Sequence, residues 1–333
     1  MIYSFALLWS LLHFGVLLLP KEYISEIIGS FLPYSIVWTI IIFFLLLILL
    51  IKKHKKRLSY SIVIISIVSL SILTYLDIKS YMSIYHTNIP NLSSTTTGQD
   101  ITFLYGNIYY KNNDFTWLLE TIKSTKPDII LFVEYAKIHN DILNDIIKKE
   151  YPYYNRYAWH KHFDGDIIFS RYPLVKIDHQ IVPGTWSFSH VTIKKEKKEL
   201  DIALVHTSAP VSPSFFVMRE EQMDKLSEML QDYYTTKTQK NIMIIGDFNI
   251  APRSPWYKEF NKNVWSWLGL NDISADLEKT IYHWLFPYTR CHQYLPFVCS
   301  HIDHVRSNNN TLNLSRISIP WSDHYGFIGN ITL

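Results

Sequence analysis

In the last 233 residues of this 333-residue chain, six short apolar runs end in side chains that can hold a cation or move a proton. Ile101-Thr-Phe-Leu-Tyr-Gly ends in Asn107, and Ile129-Ile-Leu-Phe-Val ends in Glu134. Leu204-Val205 is followed by His206, and Ile244-Ile245-Gly by Asp247 and Asn249. Ser300-His301-Ile302 leads into Asp303, and Trp321-Ser322 leads into Asp323-His324. One such ending is an ordinary turn, since Gly, Asp and Asn favour turns. Six of them suggest strands packed side by side that deliver their ends to one rim, where active sites are commonly built.

The types fit one kind of chemistry. Asn107, Glu134 and Asp323 offer hard oxygen ligands without a cysteine and histidine cage, which suits Mg²⁺ or Mn²⁺ rather than structural zinc. His206 and His324 can donate to phosphate oxygens or move protons near neutral pH. Asp247 and Asn249 stand two apart, so in extended chain they share a face. Hydrolysis of a phosphoester needs neutralised nonbridging oxygens, an oriented water and help for the leaving oxygen, and this set supplies all three.

The runs that must position these groups read as strands over Ile101–Tyr105, Ile129–Val133, Ile167–Phe169, Leu200–Val205, Ile242–Ile245, Ile302–Val305 and Tyr325–Ile331. Helical periodicity covers Asp114–Ser124, His139–Lys149 and Ser214–Tyr234, with Asp114 and Ser214 as N-caps. Several strands adjacent late in the chain point to an α+β sandwich rather than an alternating doubly wound sheet.

The front of the chain is different. Residues 1–19 and 31–51 carry no charged side chain, and a third, serine-rich apolar run spans 58–76. Each is close to the roughly 20 residues needed to cross a bilayer. The first could instead be a signal peptide, but it lacks a cationic start and a small-residue cleavage site. Three spans are expected. Lys52-Lys-His-Lys-Lys-Arg57 lies between the second and third, so the positive-inside rule places that loop in the cytoplasm and everything after residue 76 outside it. Residues 77–100 then form a tether, and 101–333 a domain outside the cytoplasm.

Charge narrows the partners. Seven Lys/Arg and four Asp/Glu precede residue 101, which leaves 25 of each from totals of 32 and 29. A neutral domain weakens general double-helix binding, which usually shows a basic excess. Cys291 and Cys299 are the only cysteines. Outside the cytoplasm they can pair; in a reducing compartment they would be buried thiols or, with His292 and His301, a zinc candidate.

The ordered set Gly106-Asn107, Pro127-Asp128 through Glu134, Gly165-Asp166 through Ser170-Arg171-Tyr-Pro173, His206-Thr, Gly246-Asp247-Phe-Asn249, Ile302-Asp303-His304-Val and Ser322-Asp323-His324 resembles the endonuclease/exonuclease/phosphatase superfamily. The run His206-Thr-Ser-Ala-Pro, with Arg219-Glu-Glu-Gln222 and the segment through Ser254-Pro-Trp, is similar to a bacterial branch whose domain follows membrane helices. The resemblance implies a four-layered α/β sandwich of two packed mixed sheets flanked by helices. It implies that Glu134 holds a divalent ion with Asn107 beside it and Asp323 near it. Asp247 would position or activate water, Asn249 and His206 would bind phosphate, and Asp303 would orient His324. Tyr109 stands where certain nucleases of this superfamily carry an acid, and Asp166 where an Asn is common.

The expected activity is therefore a membrane-anchored, Mg²⁺- or Mn²⁺-dependent phosphoester hydrolase acting on nucleic acid, a lipid headgroup or a small phosphoester, with the bilayer and no protein as partner. A non-catalytic membrane-anchored module is the other class. Trp256, Tyr257, Trp265 and Trp267 could stack bases or sit at a membrane interface, though core packing suits them better than either.

Overall fold

A computed structural model describes residues 2–51 apart from 20 and 31, parts of 64–75, and 100–155, 165–181, 187–234, 241–260 apart from 253, 269–272, 288–292, 295–308 and 313–333. The basic loop, the tether over 77–99, Trp265 and Trp267 lie outside the described residues. The chain divides into two compact units, residues 1–87 with 250–260, and residues 88–249 with 261–333.

The larger unit contains two six-stranded mixed sheets. The first has the order β13 (Asn313–Ser318), β14 (Tyr325–Thr332), β1 (Asp100–Asn107), β2 (Ile129–Tyr135), β4 (Gly165–Ser170) and β3 (Tyr153–Tyr154). The second runs β5 (Leu174–Ile181), β6 (Ser187–Lys195), β7 (Lys198–His206), β8 (Asn241–Asp247), β12 (Asp303–Ser307) and β9 (Asn271–Asp272). Among the described residues only β1 with β2 and β7 with β8 are parallel pairs, and both pairs carry site residues at their C-terminal ends. A separate hairpin joins β10 (Arg290–His292) to β11 (Leu295–Ser300).

Alternation explains why these runs make a sandwich. Ile101, Phe103 and Tyr105 of β1 join Ile129, Leu131 and Val133 of β2 against Leu200, Ile202, Leu204, Met243, Ile245 and Val305 from the other sheet, all fully buried. Leu104, Ile130 and Phe132, one residue out of phase, face the opposite way and pack on Leu118 and Ile122 of α4 (Thr116–Thr125) and Leu143 and Ile147 of α5 (Lys137–Ile147). Both faces are covered, so these strands read as continuous apolar runs. Emptying one such position, as in Leu131→Ala, costs roughly 2–5 kcal/mol.

The sequence reading missed β5, β6 and β13. β13 is nowhere buried, and β6, though buried over 188–193, mixes Ser, His and Thr with its apolar residues. Two caps also differ. Ser212, not Ser214, accepts the Phe215 N–H at 3.3 Å at the start of α6 (Pro213–Tyr234). Phe115 occupies the cap position of α4 without a side-chain bond, while Asp114 accepts from the Thr116 N–H.

The smaller unit contains α1 (Ile2–Leu18), α2 (Tyr23–Ser30) and α3 (Leu32–Ile51). Ala6, Ile42, Leu46 and Leu70 form a small core, and Trp9 Nε1 donates to Thr39 Oγ1 at 3.1 Å. Among the described residues, no helix is long and apolar enough to cross a membrane. The expected run at 58–76 is described only in pieces. Residues 250–260, including α7 (Pro255–Phe260), belong to this unit rather than to the domain that the sequence reading began at 101. Ser254 there donates to the fully buried Glu26 carboxylate of α2, and the Lys21 ammonium lies 5.1 Å from the Trp256 ring centroid.

Candidate active site

Register brings the two sheets' polar ends together. In the second sheet His206 is paired with Asp247, and Asp247 with Asp303, so three of the expected residues form one row across β7, β8 and β12. Gly246 makes that row possible: a Cβ there would lie 1.9 Å from the Val205 carbonyl oxygen, so no other residue permits this approach of β7 and β8. In the first sheet Asn107 and Glu134 end the adjacent parallel strands β1 and β2.

One amide spans the sandwich. Asn107 Nδ2 donates to Glu134 Oε1 at 2.9 Å and to Asp247 Oδ2 at 3.1 Å, while its Oδ1 accepts the Tyr109 N–H. Glu134 Oε2 accepts the Tyr110 N–H at 3.1 Å. His206 Nε2 lies 4.0 Å from both Glu134 Oε1 and Asp247 Oδ2. Glu134, Asn249, Tyr109 and Trp321 all have left-handed backbone, with φ between 48° and 65°. Among the described non-glycine residues only Lys126 and Glu196 share that trait outside this region, so backbone strain concentrates at the rim.

A second group controls a proton. His324 Nδ1 bonds Asp303 Oδ2 at 2.9 Å, and Tyr105 donates its hydroxyl to Asp303 Oδ1 at 2.7 Å. His324 Nε2 faces Asp247 Oδ2 at 3.6 Å and Asp323 Oδ1 at 3.8 Å. Burial alone would lower the His324 pKa, but the carboxylates of Asp303, Asp247 and Asp323 lift it to about 9. Burial and the charge of Asp303 push Asp247 up to about 7, against the pull of His324 and the Asn249 N–H. Burial would also raise Asp303, yet His324, Thr289 and Tyr105 hold it below the usual carboxylate range. His206 is pushed down to about 4 by burial, so it is neutral near pH 7.

Two clusters compete for a metal. Ligand atoms of Asp247, Asp303 and His324 lie within 4.8 Å of one another. However, Asp303 Oδ2 and His324 Nδ1 are bonded to each other, which ties up one ligand atom of each. The better fit is the point where Glu134 Oε1 and Asp247 Oδ2 converge on the Asn107 amide, because a rotation of that amide would turn its oxygen toward the same point. That donor set is all oxygen, as hard divalent ions require. Asp323, also expected near the ion, accepts the Arg290 Nε–H on Oδ2 at 2.7 Å.

Asn249 is anchored rather than open. Its N–H donates to Asp247 Oδ1 at 2.9 Å, and its Nδ2 to the Thr207 carbonyl at 2.8 Å. Its carbonyl accepts from Arg219 Nη1 at 2.9 Å, and Gln222 Oε1 accepts the Ser208 N–H at 2.7 Å. Both α6 side chains are fully buried, so one helix turn fixes the loops that follow His206 and Asp247. Sequence reading saw Arg219 and Gln222 only as part of a pattern. Tyr105, Thr289 and Arg290 were missed altogether. Tyr105 reads as core, and nothing local marks the other two.

The hairpin partners Cys291 and Cys299 form a disulfide, which removes them from a zinc site with His292 and His301. The His301 ring lies tilted at 47° to that of His304, with centroids 4.8 Å apart.

Similarity to known proteins agrees with this geometry. Truncated TDP2 from Caenorhabditis elegans superposes with a TM-score of 0.58 at 11% identity, covering 72% of this chain and 100% of that one. The human Nocturnin catalytic domain, solved with bound sulfate, gives 0.54 at 20% identity, covering 70% and 94%. Sphingomyelinase C from Streptomyces griseocarneus gives 0.50 at 14% identity, covering 70% and 99%. No curated protein matches the chain in sequence. These likenesses establish the two-sheet fold. With the model of the Endonuclease/Exonuclease/phosphatase family matching residues 104–324, which hold every site residue described above, the chain belongs to that family.

Proposed function

We propose that the chain is a hydrolase of phosphoesters that depends on Mg²⁺ or Mn²⁺, anchored in a bilayer by its N-terminal helices with the catalytic domain outside the cytoplasm. The observation that carries the reading is the pairing of a raised imidazolium, His324, with a raised carboxylate, Asp247, 3.6 Å away, beside a convergent set of oxygens. Such separation of two titratable groups marks an acid and a base.

The bound ion would be held by Glu134, Asp247 and the turned amide oxygen of Asn107, and would neutralise the charge on the phosphoryl oxygens. The protein's own groups do the rest. Asp247, beside that ion, positions the attacking water and takes its proton. His324, kept charged and oriented by Asp303, donates from Nε2 to a phosphoryl oxygen and stabilises the charge that develops there. Neutral His206 offers one N–H, and the second amide hydrogen of Asn249 remains for the same oxygens. Asp323, near His324 Nε2, helps hold that imidazole charged.

Anchoring rests on the charge-free runs 1–19 and 31–51 and on their exposure, since Leu8, Leu11, Trp38 and Phe44 are all more than half exposed in the described structure. That exposure favours a lipid headgroup over a soluble polymer as substrate, because the apolar helices would hold the domain against a bilayer. The domain's zero net charge points the same way. A non-catalytic module has no need of an acid and base so separated.

The test uses the full chain in detergent micelles against phospholipid vesicles, single- and double-stranded DNA, RNA and a generic phosphodiester. Hydrolysis that disappears with chelator, returns with Mg²⁺ or Mn²⁺ and is lost in Asp247→Asn is the expected outcome. A folded wild-type protein that hydrolyses nothing in the panel refutes the reading.

A further inference from the structure

Thr289, Arg290 and Cys291 have no part in the assignment above, yet they are stitched to two of its segments. Thr289 Oγ1 accepts the Ile302 and Asp303 N–H groups at 3.0 and 2.9 Å, and its carbonyl accepts the Tyr325 N–H at 2.6 Å. Arg290 forms an antiparallel bridge with His324, and the Cys291 N–H donates to the Asp323 carbonyl at 2.8 Å. Immediately beyond, the Cys291–Cys299 disulfide closes the β10–β11 hairpin. Arg290 is therefore held at the edge of the site by backbone bonds on one side and a covalent link on the other.

Its side chain is positioned for more than an ion pair. Arg290 Nε donates to Asp323 Oδ2 at 2.7 Å, and this is the only side-chain hydrogen bond of Arg290 among the described residues. A guanidinium carries five N–H donors in a rigid fork, so four remain on its two terminal nitrogens. The side chain is 37% exposed, whereas Asp247, Asp303 and His324 beside it are at most 5% exposed. It also feels the charges of Asp247 and Glu134 as well as Asp323, which places it within the electrostatic field of the reacting centre. A fixed, partly open guanidinium at that position matches a tetrahedral anion by geometry as well as by charge.

Resting on the hydrolase reading, we infer that Arg290 is a substrate-contacting residue whose terminal nitrogens bind nonbridging oxygens of the phosphoryl group, with the disulfide-closed hairpin holding the fork in place. The alternative is a purely structural counter-ion for Asp323, and the two differ in what lysine can replace. Lysine keeps the charge and can pair with Asp323, but it cannot hold Asp323 and grip phosphate with a two-pronged fork.

The experiment measures the dissociation constant of inorganic phosphate in the presence of Mg²⁺, together with KM and kcat for bis(p-nitrophenyl) phosphate, on the full chain in detergent. Wild type, Arg290→Lys and Arg290→Gln are compared, with thermal midpoints to confirm folding. Phosphate binding is expected to weaken about tenfold or more in Arg290→Gln, with a parallel rise in KM, and to be only partly restored in Arg290→Lys. Unchanged phosphate affinity in Arg290→Gln, full restoration by lysine, or no phosphate binding by folded wild type each overturn the assignment. The two readings fail separately. Wild-type hydrolysis with an indifferent Arg290→Gln removes Arg290 and leaves the hydrolase, whereas Arg290-dependent phosphate binding without any hydrolysis keeps Arg290 and removes the hydrolase.

Discussion

The rim of strand ends and the N-terminal helices solvate their side chains in opposite ways. At the rim Asn107, Asp247, Asp303 and His324 are buried, while Ile and Leu fill the sandwich behind them at 0% exposure. In the helices Leu8, Leu11, Trp38 and Phe44 lie open, and the buried residues include Ser25, Glu26, Ser35 and Thr39. A water-facing domain buries polar groups only where bonds and opposite charges compensate their desolvation. A helix unit that turns its apolar side chains outward and joins its small polar groups internally is arranged for an apolar surrounding. On the proposed anchoring one chain holds two solvent regimes, and each can be broken by a charge of the wrong kind.

The largest effect belongs to the rim. Asp247→Asn removes the base while keeping shape, and kcat/KM is expected to fall about 10³-fold. A loss under tenfold in a folded variant would return Asp247 to a structural role. His324 sets the alkaline limb of the pH profile. Activity needs His324 charged, so it falls as pH rises through about 9. A kcat/KM profile flat from pH 8 to 10 contradicts that role.

In the helices a charge is the sharper probe. Ile41, 41% exposed on α3, is expected to tolerate lysine if it faces water. If it faces lipid, Ile41→Lys costs roughly 3 kcal/mol of insertion, read as loss of the protein from the carbonate-washed membrane fraction. Retention of the variant at wild-type levels would place this face in water.

Next is the hairpin at the rim's edge. Replacing Cys291 and Cys299 together by serine opens an eight-residue loop and is expected to cost about 2 kcal/mol. Thermal melting reads the loss, and weaker phosphate binding should accompany it if the hairpin positions Arg290. Melting lowered without any change in phosphate affinity would separate the hairpin from the site.

The smallest effect lies within the helical unit. Ser254→Ala leaves buried Glu26 without that donor and is expected to destabilise the protein by roughly 1 kcal/mol, with kcat at 25 °C unchanged. A change in kcat without a change in melting would instead tie residues 250–260 to catalysis.

Much of this was legible because burial on both faces leaves a simple trace. β1, β2, β4, β7 and β8 each contain a run of at least three apolar residues, and the polar residues at the ends of β1, β2, β7 and β8 named Asn107, Glu134, His206, Asp247 and Asn249, while Asp303 opens β12 and His324 precedes β14. β5 and β13 escaped because they have exposed positions, and β6 because Ser, His and Thr interrupt its buried apolar residues. Asp323 was read as an ion ligand, and its bond to Arg290 arises from a hairpin 33 residues away that carries no pattern of its own. Tyr105 alternates inward with Ile101 and Phe103, and only the opposing sheet turns its hydroxyl into the holder of Asp303.

By itself the sequence determined which side chains reach strand ends, since a period of two and a run of apolar residues fix where a buried strand stops and which residue emerges next. It also determined two charge-free apolar runs at the front of the chain, 1–19 and 31–51, each too long for a typical strand. Tertiary structure alone decided which ends meet. The parallel register of β7 and β8, the antiparallel register of β8 and β12, and the face-to-face packing that lets Asn107 touch both Glu134 and Asp247 bring together groups up to 140 residues apart. The pKa values of Asp247 and His324 follow from that meeting, because burial and the charges within 4 Å, not residue type, set which of them holds a proton at neutral pH.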